Sequence, residues 1–543
     1  MVVLWGARVK SEAESCQKRH IAGSLPRSRP ISRLYYRLGF AGCPIRRGRA
    51  AESEPVPTED PAPSRSPPTL SQWLDQQFEN ARRRLLQAIS ATHLTKRRPQ
   101  FGQVIVPVKG SVIAAQTVSE TANPDYFFHW LRDSALAIDA LVALVEHRAD
   151  VPQAAEQIND FIDFSVALNR LDGSAVARQG GWGRTNDPDL AVYVRSARAL
   201  ENLPDDGSFS EVRFNPDGTL DVLEWSRPQY DGPALRARTL LKWFGVGSSD
   251  ADARHAADNL LAADLDFTLR HYADPCFDIW EEQLGLHYYN RLVALNVLEQ
   301  GVDWWTTKGD VGKADACRAA AGNIVAVLDD HWSDKLGYPV KCLDCVSERM
   351  PDELDAVVLL GIVHSGRTDG PHSLVDPRIQ ETVVKLEELF MSELPVNSDL
   401  ARQNAGPLFG RFKDDGYFGG GAFLMTTFAA CEFYWLLSHL VAGGTNLAIS
   451  AGNRRFLRRA GLTLPASRAG TATTDSERSV IAEGLRRRGD SIMRAVRAFT
   501  PASGILPEQF DRQSGAPASA HNLTWSYAAF ITAYYARRLE SKA

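Results

Sequence analysis

Glu281 follows Trp280 directly and abuts Glu282 in the string FDIWEEQLG (277–285), while Glu508 sits far along the chain in ILPEQFD (505–511). Cleaving a glycosidic bond takes two carboxyl groups, one protonated to release the leaving oxygen and one ionised to activate water or attack carbon. A like charge and an apolar neighbour both raise a carboxyl pKa, so the Trp-Glu-Glu run suits Glu281 to the acid role. Glu508, near Phe510, is then the candidate base. Other segments mix aromatic and charged residues in the same way: NPDYFFHWLRDSAL (123–136), EWSRPQYDGPALRA (224–237) and HNLTWSYAA (521–529). Sugar recognition calls for this mixture, because the C–H faces of a pyranose pack on Trp and Tyr while its hydroxyls need charged, bidentate partners. Each segment alone reads better as core aromatics beside a solvated charged face, and an isolated Glu-Glu pair reads as a solvated helix end. Several of them, each at a predicted helix start or in a long loop, point to a site.

The elements that must hold these residues are helices. In SQWLDQQFENARRRLLQAI, Trp73, Phe78, Leu85, Leu86 and Ile89 fall on one stripe, with Ser71 as the expected N-cap. Similar periodicity recurs near 130–147, 152–169, 233–246, 251–272, 287–300, 311–333, 352–365, 376–393, 420–442, 476–499 and 523–539, about twelve helices in all. Short strands are expected within 102–116 and 210–224, too few for a full sheet. Long Gly-, Pro- and Asp-rich loops between the helices are the kind that carry function. The body from about Ser71 therefore reads as one large all-α domain, a helical barrel with its elaborate loops on one face.

Composition narrows the partners. The 543 residues carry 61 Lys+Arg against 66 Asp+Glu, a net charge of -5, so no global basic field exists to hold nucleic acid or an anionic membrane. Residues 1–50 hold 11 Lys+Arg and 2 Asp+Glu, and residues 51–70 are proline-rich, so a basic head and an extended spacer are expected before the body. No apolar run follows the early basic residues as a secretory signal would require, which favours a protein kept inside the cell, with secretion open if the natural start differs. The longest apolar stretch, Gly419 to Gly444, is interrupted by Glu432 and His439, so no membrane span is expected. No nucleotide-binding motif, serine-nucleophile elbow or metal-ligand cluster is visible, and no cofactor or metal is expected. The triple glycine 419–421 reads as a flexible helix start, and the lone Cys342-x-x-Cys345 as a surface hairpin with or without a disulfide.

The strings GSVIAAQ, NPDYFFHWLRDSAL, WSRPQYDGPALRA, FDIWEE, GRFKDDGYFGGGAFL, PEQFD and LTWSYAA, in this order over about 110–537, resemble the fungal-type glucoamylases of glycoside hydrolase family fifteen. The resemblance implies an (α/α)6 barrel of twelve helices in two layers, with a funnel-shaped site at one end. It implies an exo-acting, inverting hydrolysis that frees β-glucose from non-reducing ends of α-1,4-glucans, with Glu281 as general acid and Glu508 as general base. By the same resemblance, Arg132 and Asp133 would grip the terminal glucose, Trp130 would line its pocket and Tyr126 would face the reacting carbon. Trp225 would be the aromatic platform beside the acid, Glu282 and Arg411 would bind hydroxyls around the scissile bond, and Trp525 would close the far wall.

The chain departs from the family pattern at several points. Ala422 stands where a Trp is usual, which is expected to reduce a wall of the leaving-group subsites; Ser226 replaces a common Gly, Leu131 a Thr, and Asn522 an Asp. No starch-binding module is seen, so soluble dextrins, glycogen or oligosaccharides are the expected substrates, acted on by a monomer. Two other readings keep the barrel: action on another α-glucoside such as trehalose, isomaltose or dextran, or a non-catalytic carbohydrate-binding role.

Overall fold

A computed structural model describes residues 68–120, 124–179, 185, 188–201, 203, 207–246, 251–346, 353–463 and 470–539. The basic head and most of the proline-rich spacer lie outside the described residues. The first described helix, α1 (Leu70–Ala88), begins two residues earlier than expected, because Thr69 and not Ser71 is its N-cap: the Thr69 side chain accepts from the Gln72 backbone N–H and the Gln72 side chain accepts from that of Thr69.

Among the described residues, twelve helices have nine residues or more. They are α1, α2 (Leu131–Glu146), α3 (Ala154–Leu168), α4 (Asp231–Val246), α5 (Ala251–His271), α6 (Tyr288–Thr307), α7 (Val311–Leu328), α8 (Val357–Ser365), α9 (Pro377–Glu393), α10 (Leu424–Ala442), α11 (Asp475–Phe499) and α12 (Thr524–Arg538). The even-numbered helices pack in a closed ring, α2 on α4, α4 on α6, α6 on α8, α8 on α10, α10 on α12 and α12 back on α2. Odd-numbered helices lie outside them, α1 against α12, α5 against α4, α7 against α6 and α11 against α10. This is the expected (α/α)6 barrel.

Side-chain distribution follows from that layering. An outer helix buries one stripe, as α1 does with Leu74, Phe78, Ala81 and Leu85, whereas an inner helix is covered on nearly every side and reads as apolar almost all round. α10 shows it best: it is long and apolar enough to cross a membrane by composition, yet 78% of it is buried inside the fold.

Short antiparallel strands lead into several inner helices. His129–Trp130 pairs with Arg213–Phe214, Leu284–His287 with Cys276–Phe277 and Cys342–Val346, and Gln509–Phe510 with Ala422–Phe423 and Pro517–Ala518. These ladders tie the segments preceding α2, α6, α10 and α12 together at one end of the barrel. Cys342 and Cys345 form a disulfide within that arrangement. The triple glycine is not a helix start: Gly419 (φ 86°) and Gly420 (φ 65°) form a left-handed turn ahead of α10, and a Cβ on Gly420 would lie 1.9 Å from the Asp415 carbonyl oxygen.

Candidate active site

Each segment that enters an inner helix of the barrel delivers polar side chains to the same end. Before α6, the Asp278 side chain accepts from the backbone N–H groups of Glu282 (2.7 Å) and Gln283 (2.9 Å), and its carbonyl accepts from that of Glu281 (2.9 Å). This tight turn places Glu281 at φ 64°, a left-handed conformation that a non-glycine residue keeps only where its surroundings dictate it. Three donors fix its carboxylate: the Trp130 indole N–H (2.9 Å), the Arg132 guanidinium (3.3 Å) and the Trp225 indole N–H (2.5 Å).

The two residues that flank Glu281 in the chain bond to groups from other segments. Trp280 turns its indole N–H to the buried Asp355 (3.1 Å), which is ion-paired to Lys341 (3.0 Å). Glu282 pairs with Arg411 (3.0 Å), so its negative charge is answered. Glu508 is a carboxyl whose pKa burial raises. It lies 7% exposed at the strand leading toward α12, and burial pushes it up to about 7 against the Ser519 hydroxyl bond and the Arg411 charge, with Asp133 adding to the rise.

Arg132 and Asp133 occupy the first turn of α2. Arg132 reaches Asp231 (3.2 Å) and Gln229 (2.9 Å) as well as Glu281; those carboxylates outweigh the cost of burial and raise its pKa. Burial lifts Asp133 to about 6 despite Arg132, with Glu281 and Asp231 adding to the rise. Asp133 Oδ2 and Arg132 Nε face each other as a buried ion pair at 3.4 Å.

The aromatic wall is continuous. Tyr126 packs edge-on to Trp130 (5.1 Å between centroids), Trp130 to Trp225 (6.5 Å), and the Arg213 guanidinium lies 3.5 Å from the Trp225 ring centroid. The hydroxyls of Tyr126 and Tyr417 are hydrogen-bonded to each other. On the other side, Arg411 is held by a fork on Asp415 (2.8 and 2.6 Å). Trp525, in the first turn of α12, is 4% exposed with Arg132 5.6 Å above its ring, so it forms a buried base under that guanidinium more than an open wall.

All ten sequence-derived site residues thus lie on one end of the barrel. Sequence reasoning passed over Gln229, Asp231 and Tyr417, although they sit inside the quoted strings WSRPQYDGPALRA and GRFKDDGYFGGGAFL. Ser519 carried no signal, because its approach to Glu508 depends on a left-handed turn (φ 59°) that the local sequence does not announce. Ala422 is fully buried and paired in register with Phe510, so the position is packed over and leaves no open gap. Among the described residues no group of three or more His, Cys, Asp or Glu side chains is arranged to hold a metal ion.

The family model for glycosyl hydrolases family 15 matches residues 98–179 and 189–535. The chain belongs to that family. Its relatives include a glucoamylase of Blastobotrys adeninivorans, 27% identical over 462 residues that cover 80% of this chain and 69% of the relative. An intracellular, sporulation-specific glucoamylase of Saccharomyces cerevisiae is 27% identical and covers 79% of each chain. Among solved structures, the glucoamylase of Saccharomycopsis fibuligera superposes with a TM-score of 0.71 at 23% identity, covering 87% of this chain and 96% of its own. The barrel, the family and glycoside hydrolysis are therefore established together.

Proposed function

We propose that Glu281 is the general acid and Glu508 the general base of an inverting hydrolysis, carried out by a monomer, that frees β-glucose from the non-reducing ends of α-1,4-glucans. Exo-acting release of glucose from starch-type glucans is the activity of the chain as a member of this family. The observation that carries the residue assignment is that the two carboxyl groups, remote in sequence, meet one charge cluster: Arg132 binds Glu281, while Asp133 and Arg411 act on Glu508.

Each setting favours the state in which the step ends. Glu281 gives its proton to the glycosidic oxygen and becomes a carboxylate facing two indole N–H groups and a guanidinium, all of which stabilise that charge. Glu508, whose burial favours the neutral form, takes a proton from the water that attacks the anomeric carbon on the opposite face. Arg132, Asp133 and Trp525 form the closed base that accepts one terminal sugar, and Glu282 with Arg411 and Asp415 flanks the next position.

One observation favours the reverse roles: in the free protein it is Glu508 whose carboxyl is lifted to about 7. α-Glucosyl fluoride decides between the two, because its leaving group departs without a proton from an acid. Glu281→Gln is expected to lower maltose hydrolysis by roughly 10²–10⁴ while sparing much of the fluoride reaction, and Glu508→Gln to lower both. The opposite pattern would reverse the roles, and near-normal maltose turnover in either variant would remove that residue from the chemistry.

A further inference from the structure

Glu281 is restrained at its carboxylate and at both of its own backbone groups. Its N–H donates to the Asp278 carbonyl, and its C=O accepts from the hydroxyl of Ser226, a residue 1% exposed. The bond closes a ring. Arg132 donates from one nitrogen to Glu281 Oε1 (3.3 Å) and from another to Gln229 Oε1 (2.9 Å); Gln229 Nε2 donates to the Ser226 carbonyl (3.2 Å); the Ser226 hydroxyl returns to the Glu281 carbonyl.

We propose that Ser226 is a positioning residue for the general acid, its hydroxyl locking the left-handed backbone of Glu281 so that the carboxyl is aimed at the glycosidic oxygen. The physical reasoning is that Cα–Cβ direction follows φ and ψ, so a residue kept in a sparsely populated backbone state will lose aim when one of its restraints is removed. The carboxylate donors cannot replace this bond. They fix where the oxygens rest in the free protein, but Trp130, Trp225 and Arg132 must adjust their hold as the proton leaves, and the backbone restraint is the one unaffected by the charge on the carboxyl. The hydrogen bonds of Ser226 run to the Glu281 carbonyl and to Gln229, so its role is to position and not to make or break bonds.

This inference rests on Glu281 being the acid, and the test separates the two. The full chain is compared as wild type, Ser226→Ala, Ser226→Gly and Ser226→Thr, each assayed on maltose and on α-glucosyl fluoride. Loss of one hydrogen bond of ordinary strength corresponds to a fall of about three- to tenfold in kcat on maltose for Ser226→Ala and Ser226→Gly. The fluoride reaction is expected to change by less than roughly twofold, and Ser226→Thr, which keeps the hydroxyl, to restore most of the maltose rate. Because both substrates are assayed on one preparation, misfolded protein cancels from the ratio. A parallel fall on both substrates, or no fall on maltose, would overturn the role of Ser226. A Glu281→Gln control that fails to discriminate between the two substrates would instead overturn the acid assignment, whatever Ser226 does.

Discussion

A carboxyl lifted by burial is a stability statement as well as a catalytic one. Glu508 binds its proton up to about pH 7 in the folded protein, against an ordinary value of 4.5. Between those two pH values the folded state binds more protons than the unfolded state, so stability falls as pH rises. The penalty is absent below about pH 4.5, grows through the interval and is complete above pH 7. Its ceiling is about 3 kcal/mol at 1.36 kcal/mol per pKa unit. Glu508→Gln, which keeps the shape and removes the charge, is therefore expected to raise the melting temperature relative to wild type at pH 8 and to lose that advantage at pH 4. A melting-temperature difference that does not vary with pH would contradict the buried-carboxylate account. The residue identities of this site were largely readable from the sequence, but their electrostatics were not. The fold turns Trp280 to Asp355, pairs Glu282 with Arg411 and buries Glu508, and none of these settings is announced by the Trp-Glu-Glu run. Partners brought in from distant segments cannot be deduced from adjacency along the chain.

At the scale of elements, the approach of other segments sets what a helix surface tolerates. Gly484 lies in outer helix α11 where a Cβ would sit 1.7 Å from the Ala460 carbonyl oxygen, while Gly322 in outer helix α7 has nothing within 4 Å. Alanine normally stabilises a helix interior over glycine by about 0.5–1 kcal/mol. Gly322→Ala is expected to show that gain, and Gly484→Ala the reverse, a loss of about 1–3 kcal/mol from overpacking. Denaturant titration of the pair checks this, and equal signs would contradict the packing described for α11. Helices were legible to within a few residues because burial of one face, or of nearly the whole surface, imposes a 3.6-residue period or a long apolar run. Their exact starts were less so: Thr69 takes the cap from Ser71 through a reciprocal bond with Gln72, and the glycines ahead of α10 are a turn shaped by Asp415 and Phe510. The two- to five-residue strands have too little length for alternation to register, and their pairing is decided by where the inner helices place them.

For the molecule as a whole, the closed ring of α2, α4, α6, α8, α10 and α12 explains how segments scattered from Tyr126 to Trp525 form one site. Each inner helix starts at the same end, and each starting segment brings one part: the sugar grip before and in α2, the aromatic platform before α4 and Asp231 as its first residue, the acid before α6, the Asp355 brace before α8, Arg411 and Tyr417 before α10, and the base before α12. The order of motifs along the chain made this convergence readable as a family resemblance, while periodicity alone reached only the helical barrel. Inner-helix N-termini also direct partial positive charge to this end, which suits a site carrying Glu281, Glu508, Asp133 and Asp231 together.

The central claim is that two opposed carboxyl groups, one acid and one base, act across a pocket open to a chain end. Its most direct test is to incubate the protein with maltopentaose and follow the first sugar released by proton NMR before mutarotation. The account predicts single glucose units in the β configuration, with maltotetraose as the other initial product. Glucose appearing first as the α anomer, or maltose and maltotriose as the first products, would contradict it.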